Sequence, residues 1–151
     1  MAWAQMLLPQ ANPGIPFPQS DAAPAQRKAG GGGESILIVE DDPMVLTYLK
    51  LVTERAGYRT LLAANGTDAV ELLRREPGVS LVISDVVMPG GGGQAVQAEV
   101  DSARLPAKVL FISGYPREVV ADRGIPVDQV EFLQKPVHGS VLLQKVRELL
   151  L

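Results

Sequence analysis

The sequence contains no cysteine and a single histidine, His138. Without cysteine, the chain can form neither a disulfide framework nor a metal site built on thiolates. One histidine is also too few for a His-rich metal site. Any metal ion bound by this protein must therefore be held by oxygen ligands.

Positive charge and long apolar runs are also scarce. The chain has 14 Lys and Arg residues against 17 Asp and Glu residues, a net charge of −3, whereas proteins that bind the nucleic-acid backbone need a basic face. We therefore expect no direct contact with nucleic acid. The apolar runs are shorter than the roughly 20 residues that span a membrane, and Met1–Gln10 lacks the basic start of a secretion signal. These absences predict a cytoplasmic domain without membrane contact.

The length and the proline distribution predict one folded domain after a linker. A chain of 151 residues can build one sizeable core but not two. From Pro9 to Gly33 the sequence is rich in proline, ends in consecutive glycines and has little periodic apolar content, so it cannot bury enough apolar surface to offset its ordering entropy. We predict a flexible linker over residues 1–34 and a folded domain over residues 35–151. The alternative is an N-terminal extension docked through its large apolar side chains, Trp3, Met6 and Leu7.

Beyond the linker, short apolar runs with strand character alternate with helical patterns. The predicted strands are Ser35–Glu40, Arg59–Ala63, Leu81–Asp85, Lys108–Ser113 and Val130–Gln134. The predicted helices are one capped by Asp42, then Thr67–Arg75, Gln94–Ser102, Arg117–Asp122, and one from Ser140 onward. Parallel strands need right-handed crossovers, so this alternation predicts a parallel sheet covered on both faces. The expected fold is a flavodoxin-like (βα)5 three-layer α/β sandwich with strand order 2-1-3-4-5.

Polar side chains occur where the predicted strands end. Glu40 and Asp41 follow the first strand, Asp85 ends the third, Ser113 ends the fourth and Lys135 follows the fifth. In such sheets, sites form beyond the carboxyl ends of the strands, where the strand order reverses. If the first and third strands are neighbours, Asp41 and Asp85 face each other across a small gap. Carboxylates that close repel one another unless they are protonated or neutralised. An oxygen-only, acidic site of this kind is typical of Mg²⁺.

These residue types also suit phosphoryl transfer. That reaction needs a nucleophile in line, a divalent cation and positive or hydrogen-bonding groups on the phosphoryl oxygens. Asp85 supplies a carboxylate nucleophile. Lys135 can pair with Asp85 and then with the phosphoryl group, and Ser113 can donate its hydroxyl to the same group.

Four segments resemble the signature of response-regulator receiver domains of two-component signalling. They are Glu40-Asp41, Asp85-Val-Val-Met-Pro-Gly90, Ser113-Gly-Tyr115 and Lys135-Pro136. Their order and intervals match the family, and the resemblance extends from Ser35 to Leu151. Each segment alone is a weak signal, whereas four in register at four strand ends are a strong one.

The resemblance implies a role for each acidic residue. Asp85 would be the phosphoacceptor and would also bind Mg²⁺. Asp41 would bind the metal ion directly, and Glu40 would hold a coordinated water molecule. The main-chain carbonyl of Val87 would complete the protein's share of the ligands.

The resemblance also implies a switch. Ser113 matches the family's Ser/Thr, Lys135 matches its lysine, and Phe132 matches its switch aromatic three residues before the lysine. Phosphorylation would draw Ser113 toward the phosphoryl oxygens and let Phe132 turn inward, which would repack a partner-binding face. The implied phosphodonor is a histidine kinase or a histidine phosphotransfer protein.

The sequences of two segments are similar to those of receivers at the C-termini of hybrid sensor histidine kinases. They are Val86-Val-Met-Pro-Gly90 and Phe111-Ile-Ser-Gly-Tyr115. On this resemblance, residues 1–33 would be the end of a kinase catalytic domain and a linker. A stand-alone regulator is the alternative.

Other interpretations of the same residues stay open. A pseudo-receiver would keep the fold as a docking module without phosphorylation. A small phosphatase with an Asp nucleophile would need a second Asp two residues later after the first strand, a spacing that Glu40-Asp41-Asp42-Pro43 does not provide. A flavin binder would need a hydroxyl-rich phosphate loop there instead of acids. His138 is interpreted as a surface residue and not as a phosphoryl donor.

Overall fold

The computed structural model describes residues 33–151. The linker predicted over residues 1–34 and the alternative of a docked N-terminal extension concern residues that lie almost entirely outside this range, so both stay predictions. Within the described residues the chain forms a five-stranded parallel sheet of order β2-β1-β3-β4-β5. The strands are β1 (Ser35–Val39), β2 (Arg59–Ala63), β3 (Val79–Asp85), β4 (Lys108–Ser113) and β5 (Glu131–Gln134). The predicted strand order is therefore confirmed.

A helix follows each strand of the described chain. These helices are α1 (Pro43–Arg55), α2 (Gly66–Arg75), α3 (Gly92–Ser102), α4 (Arg117–Asp122) and α5 (Gly139–Leu150). None of them combines the length and the apolar character needed to cross a membrane. The alternation of strand and helix confirms the predicted flavodoxin-like α/β fold.

The core lies in two layers, one on each face of the sheet. Alternate side chains of β1 point to opposite faces, so Leu37 packs with the buried side chains of α2, α3 and α4, whereas Ile38 packs with those of α1 and α5. Both side chains are fully buried, and burying each contributes roughly 1.5–3 kcal/mol. Strands covered on both faces read as continuous apolar runs, which is how β1 was predicted.

The first helix begins directly after the acidic residues. Asp42 is the N-cap of α1, and its Oδ1 accepts hydrogen bonds from the backbone N–H groups of Met44 at 2.9 Å and Val45 at 3.5 Å. Pro43 occupies the first helical position, where its missing N–H costs nothing. The sequence prediction of a helix cap at Asp42 is confirmed. This cap fixes the turn that carries Glu40 and Asp41.

The glycine-rich turn before α3 packs tightly against the end of β3. The backbone N–H of Gly93 donates to the carbonyl of Val86 at 3.0 Å. A Cβ atom on Gly92 would lie 2.3 Å from the same carbonyl oxygen, and Gly92 has a φ of +59° that side chains disfavour. Because these contacts order the turn, α3 begins at Gly92, two residues before the predicted start at Gln94.

Candidate functional site

The carboxyl ends of four strands place the candidate site residues at one edge of the sheet. Strand β4 is paired in register on both sides, with Asp85 opposite Ile112 and Ser113 opposite Gln134. The backbone N–H of Lys135 then donates to the carbonyl of Ser113 at 2.7 Å. These backbone pairings fix the positions of Asp85, Ser113 and Lys135 independently of any side-chain contact.

Three carboxylates form a cluster at this edge. Each of Glu40, Asp41 and Asp85 contributes an oxygen, and these oxygens all lie within 4.8 Å of one another. Glu40 is 1% exposed and Asp85 is 8% exposed, while Asp41 is exposed to solvent. The cluster therefore has buried walls and one open side.

Lys135 bridges the two buried carboxylates. Its Nζ lies 2.7 Å from Oε1 of Glu40 and 3.3 Å from Oδ2 of Asp85. The pairing of Lys135 with Asp85 was predicted, but the shorter contact with Glu40 was not. One ammonium group thus balances part of the negative charge of three carboxylates, and the site keeps a net negative charge.

Burial and neighbouring charges shift the pKa values of this ion pair. Burial raises the pKa of the Glu40 carboxyl and Asp85 adds to the rise, whereas hydrogen bonds from Lys135 and from the backbone of Asp42 lower it only in part. Burial also lowers the pKa of Lys135, but its bonds to Glu40 and Asp85 outweigh that effect and raise the pKa overall. The lysine is therefore held charged, while the buried glutamate lacks full compensation for its charge.

The two oxygens of Asp85 have different surroundings. Oδ1 accepts a hydrogen bond from the backbone N–H of Val86 at 2.8 Å, and Oδ2 faces the Lys135 ammonium group. The hydroxyl of the preceding Ser84 donates to the Asp85 carbonyl at 2.9 Å. The carboxylate is thus oriented by the loop that follows its own strand and by the lysine that follows β5.

Ser113 is buried beside the cluster. It is 1% exposed, and its Oγ accepts a hydrogen bond from the backbone N–H of Tyr115 at 3.0 Å. This contact forms a turn after β4, yet it leaves the hydroxyl hydrogen available as a donor. Ser113 can therefore form the turn and also donate to a ligand.

Phe132 lies on β5, which β4 separates from β3 and the acidic cluster. It is half-buried and packs against the core layer beneath α2, α3 and α4. The Cζ atom of Arg117 lies 5.6 Å from the centre of its ring. This contact was missed at the level of sequence, because nothing in the spacing of the two residues indicates it.

Two other predicted positions need separate mention. Val87 is half-buried in the loop after Asp85, and the metal-binding role of its carbonyl stays a prediction. His138 is exposed at the N-terminus of α5, in agreement with its interpretation as a surface residue.

The donor set fits Mg²⁺ better than any softer metal ion. All three acidic side chains offer oxygen, one of them is open to solvent, and the described residues around them include no thiolate. Mg²⁺ prefers one or two carboxylates together with water and phosphate oxygens. The partly compensated charge of Glu40 also favours an added cation.

Comparison with known proteins identifies the family. Residues 36–147 match the family described as the response regulator receiver domain. Because this match covers most of the chain, the protein belongs to that family. It is a receiver domain of two-component signalling, as the sequence resemblance implied.

Individual relatives agree with this assignment. The chain is 34% identical over 121 residues to the sensor kinase CckA of Brucella abortus (strain 2308), covering 79% of this chain and 13% of CckA. It is 32% identical over 117 residues to the response regulator receiver protein CpdR of the same organism, covering 77% of this chain and 96% of CpdR. The solved receiver domain of the hybrid histidine kinase CckA matches with a TM-score of 0.65 at 32% identity, covering 78% of this chain and 99% of that one.

The relatives differ in how much of their length this chain represents. The chain spans 51% of the length of two related transcriptional regulatory proteins and a much smaller share of the sensor kinase. The similarity therefore defines the receiver domain and leaves the rest of any larger protein undefined.

Proposed function

We propose that this domain accepts a phosphoryl group on Asp85 in a Mg²⁺-dependent reaction and that the new charge switches a partner-binding face. The observation that carries the proposal is the cluster of three carboxylate oxygens within 4.8 Å of one another beside a bridging lysine. Negative charge packed this closely destabilises a fold unless it is protonated or neutralised. A cation bound at this site would neutralise that charge and help the site to receive a phosphoryl group.

Each of the site residues would have a different role in metal binding. Asp41 and Asp85 would hold Mg²⁺ directly, Glu40 would hold it through a water molecule, and the Val87 carbonyl would complete the set. The bound ion supplies positive charge to the phosphoryl oxygens. The carboxylates among these ligands bind the ion in their charged form.

The protein's own residues provide nucleophile, counter-charge and hydrogen bond. An Asp85 carboxylate oxygen attacks phosphorus, the bond between phosphorus and the histidine nitrogen of the donor breaks, and that nitrogen keeps the electron pair. Lys135 already lies 3.3 Å from Asp85 and can pair with the phosphoryl oxygens. Ser113 donates its hydroxyl hydrogen to another phosphoryl oxygen.

The implied donor is a histidine kinase or a histidine phosphotransfer protein. Under this proposal the domain is a signalling module in the cytoplasm and not an enzyme that turns over a separate substrate. The similarity to the receiver of CckA favours a place in a hybrid histidine kinase. The similarity to CpdR, nearly all of which is matched, keeps a stand-alone regulator as the second candidate.

Chemical phosphorylation tests this proposal. The protein is incubated with Mg²⁺ and acetyl phosphate, and its mass is recorded before and after treatment with hydroxylamine, which cleaves acyl phosphates. We expect one added phosphoryl group in the wild type, none after hydroxylamine and none in Asp85→Asn. A wild type that gains no phosphoryl group while remaining folded would favour the pseudo-receiver.

A further inference from the structure

Helix α4 carries an arginine at each end, and each guanidinium lies over an aromatic ring. The Cζ atom of Arg117, the first residue of α4, lies 5.6 Å from the ring centre of Phe132 on β5. The Cζ atom of Arg123, directly after α4, lies 5.5 Å from the ring centre of Tyr115. Both distances are within the ~6 Å over which a cation is attracted to a ring face. Only Arg117 contacts the ring proposed to switch.

Arg117 is held in place from two further sides. Its Nη2 donates to the carbonyl of Val127 at 2.8 Å and to Oδ1 of Asp128 at 3.3 Å. Val127 is buried in the core layer, so its carbonyl is a fixed anchor. The side chain of Asp128 is 94% exposed, so that ion pair adds little. The guanidinium therefore keeps its position largely through Val127.

Phe132 contacts both this fixed cation and the core. It is half-buried against the apolar layer that contains Val120 and is paired in register with Phe111 on β4. A ring that turned further inward would leave the guanidinium, which its anchor prevents from following. The cation–ring contact thus stabilises the half-buried position over the inward one, and such a difference shifts an equilibrium between two states.

We infer that Arg117 holds Phe132 in the resting position and thereby sets the threshold at which the domain switches. This inference rests on the proposed function, since it names the regulation of the same site. Phosphorylation must overcome the cation–ring contact before Phe132 can move. Because coupling between two sites is reciprocal, a domain without this contact binds the activating ligand more tightly.

The test measures binding of beryllofluoride, a phosphoryl mimic, in the presence of Mg²⁺. An exposed cation–ring contact is worth about two- to fivefold in an equilibrium constant, so we expect Arg117→Ala to bind beryllofluoride about two- to fivefold more tightly than the wild type. Arg123→Ala is the matched control, because it removes an equivalent contact from the other end of α4 without touching Phe132. We expect this control to bind with wild-type affinity.

Repeating the test in a Phe132→Leu variant separates an effect of the cation–ring contact from a general loosening of α4. In Phe132→Leu the ring is absent, so Arg117→Ala should no longer raise the affinity. An unchanged or weaker affinity of Arg117→Ala, an equal gain in Arg123→Ala, or a gain that persists in Phe132→Leu would each overturn the inference while leaving the proposed function intact. A wild type that binds no beryllofluoride would overturn the proposed function and this regulation with it.

Discussion

Lys135 and Glu40 form the shortest ion pair among the described residues, with Nζ 2.7 Å from Oε1. The residue that the family resemblance assigns to water-mediated metal binding is therefore paired with the lysine that the same resemblance assigns to the phosphoryl group. The longer reach of glutamate compared with aspartate allows this contact across the sheet edge. Under the proposed function, a cation bound in the acidic cluster would share Glu40 with Lys135.

This shared contact predicts opposite effects of Lys135→Met on stability and on metal affinity. Without Mg²⁺, we expect the variant to lose about 2 kcal/mol in its free energy of unfolding, because two mostly buried carboxylates lose their counter-ion. We also expect tighter Mg²⁺ binding, because a positive charge beside the metal site is removed. Urea unfolding and Mg²⁺ titration measure the two quantities. Weaker Mg²⁺ binding in this variant would contradict the shared-contact account.

The acidic cluster predicts that Asp85→Asn stabilises the metal-free protein. Asparagine keeps the shape and a hydrogen-bond acceptor for Val86. It removes one of three mutually repelling charges, while Lys135 keeps its shorter bond to Glu40, so we expect a modest gain in the free energy of unfolding. Mg²⁺ should stabilise the wild type by mass action and this variant much less.

Thermal unfolding with and without Mg²⁺ measures both effects. Asp101→Asn, on the last turn of α3, is a suitable control because Asp101 is exposed and is not part of the cluster. We expect this control to respond to Mg²⁺ as the wild type does. An equal Mg²⁺ response in Asp85→Asn would show that the ion binds elsewhere.

The tight glycine turn predicts a large difference between two glycine-to-alanine substitutions. A Cβ atom on Gly93 would lie 2.6 Å from the ring of Phe111, whereas one on Gly78 would meet nothing within 4 Å. Overpacking of this kind costs about 1–3 kcal/mol, so we expect Gly93→Ala to be destabilised by about 2 kcal/mol. Gly78→Ala should be neutral or slightly stabilised, since alanine restricts the unfolded chain. Similar unfolding free energies for both variants would argue against the packed turn.

The raised pKa of Tyr58 predicts a loss of stability in alkaline solution. Burial raises its pKa above the ordinary value of 10.0, the charge of Glu34 adds to the rise and Arg147 lowers it in part. Below pH 10 the phenol is neutral in both the folded and the unfolded protein, so its full contribution to stability is present. Above pH 10 the phenol ionises first in the unfolded chain, and the free energy of unfolding falls until the folded pKa is reached. Unfolding free energies measured from about pH 8 to about pH 11 should fall more steeply for the wild type than for Tyr58→Phe. Parallel curves would contradict this assignment.

Much of the fold follows from sequence pattern, and the differences have physical causes. The ranges of β2 and β4 agree with prediction to the residue, because apolar runs and turn residues bound them clearly, and α4 lies where a short helix was expected. The start of β3 was predicted two residues late, at Leu81 in place of Val79. A register shift between Ser35 and Ile36 creates the extra pairing, and such a shift depends on contacts between distant segments.

The site was predictable in its positions but not in its contacts. The rule that parallel strands end at one edge was enough to bring Asp85, Ser113 and Lys135 together. It could not show that Lys135 pairs more closely with Glu40 than with Asp85, since side-chain length and rotamer decide that. The contact between Arg117 and Phe132 likewise depends on how a six-residue helix packs on the sheet.

The most direct test of the account is an amide NMR titration with beryllofluoride in the presence of Mg²⁺. If Asp85 accepts the phosphoryl group, the amide shifts will centre on Asp41, Asp85, Ser113 and Lys135 and spread to Phe132. They will need Mg²⁺ and be absent from Asp85→Asn. A folded wild type that gives no such shifts would contradict phosphoryl acceptance at Asp85.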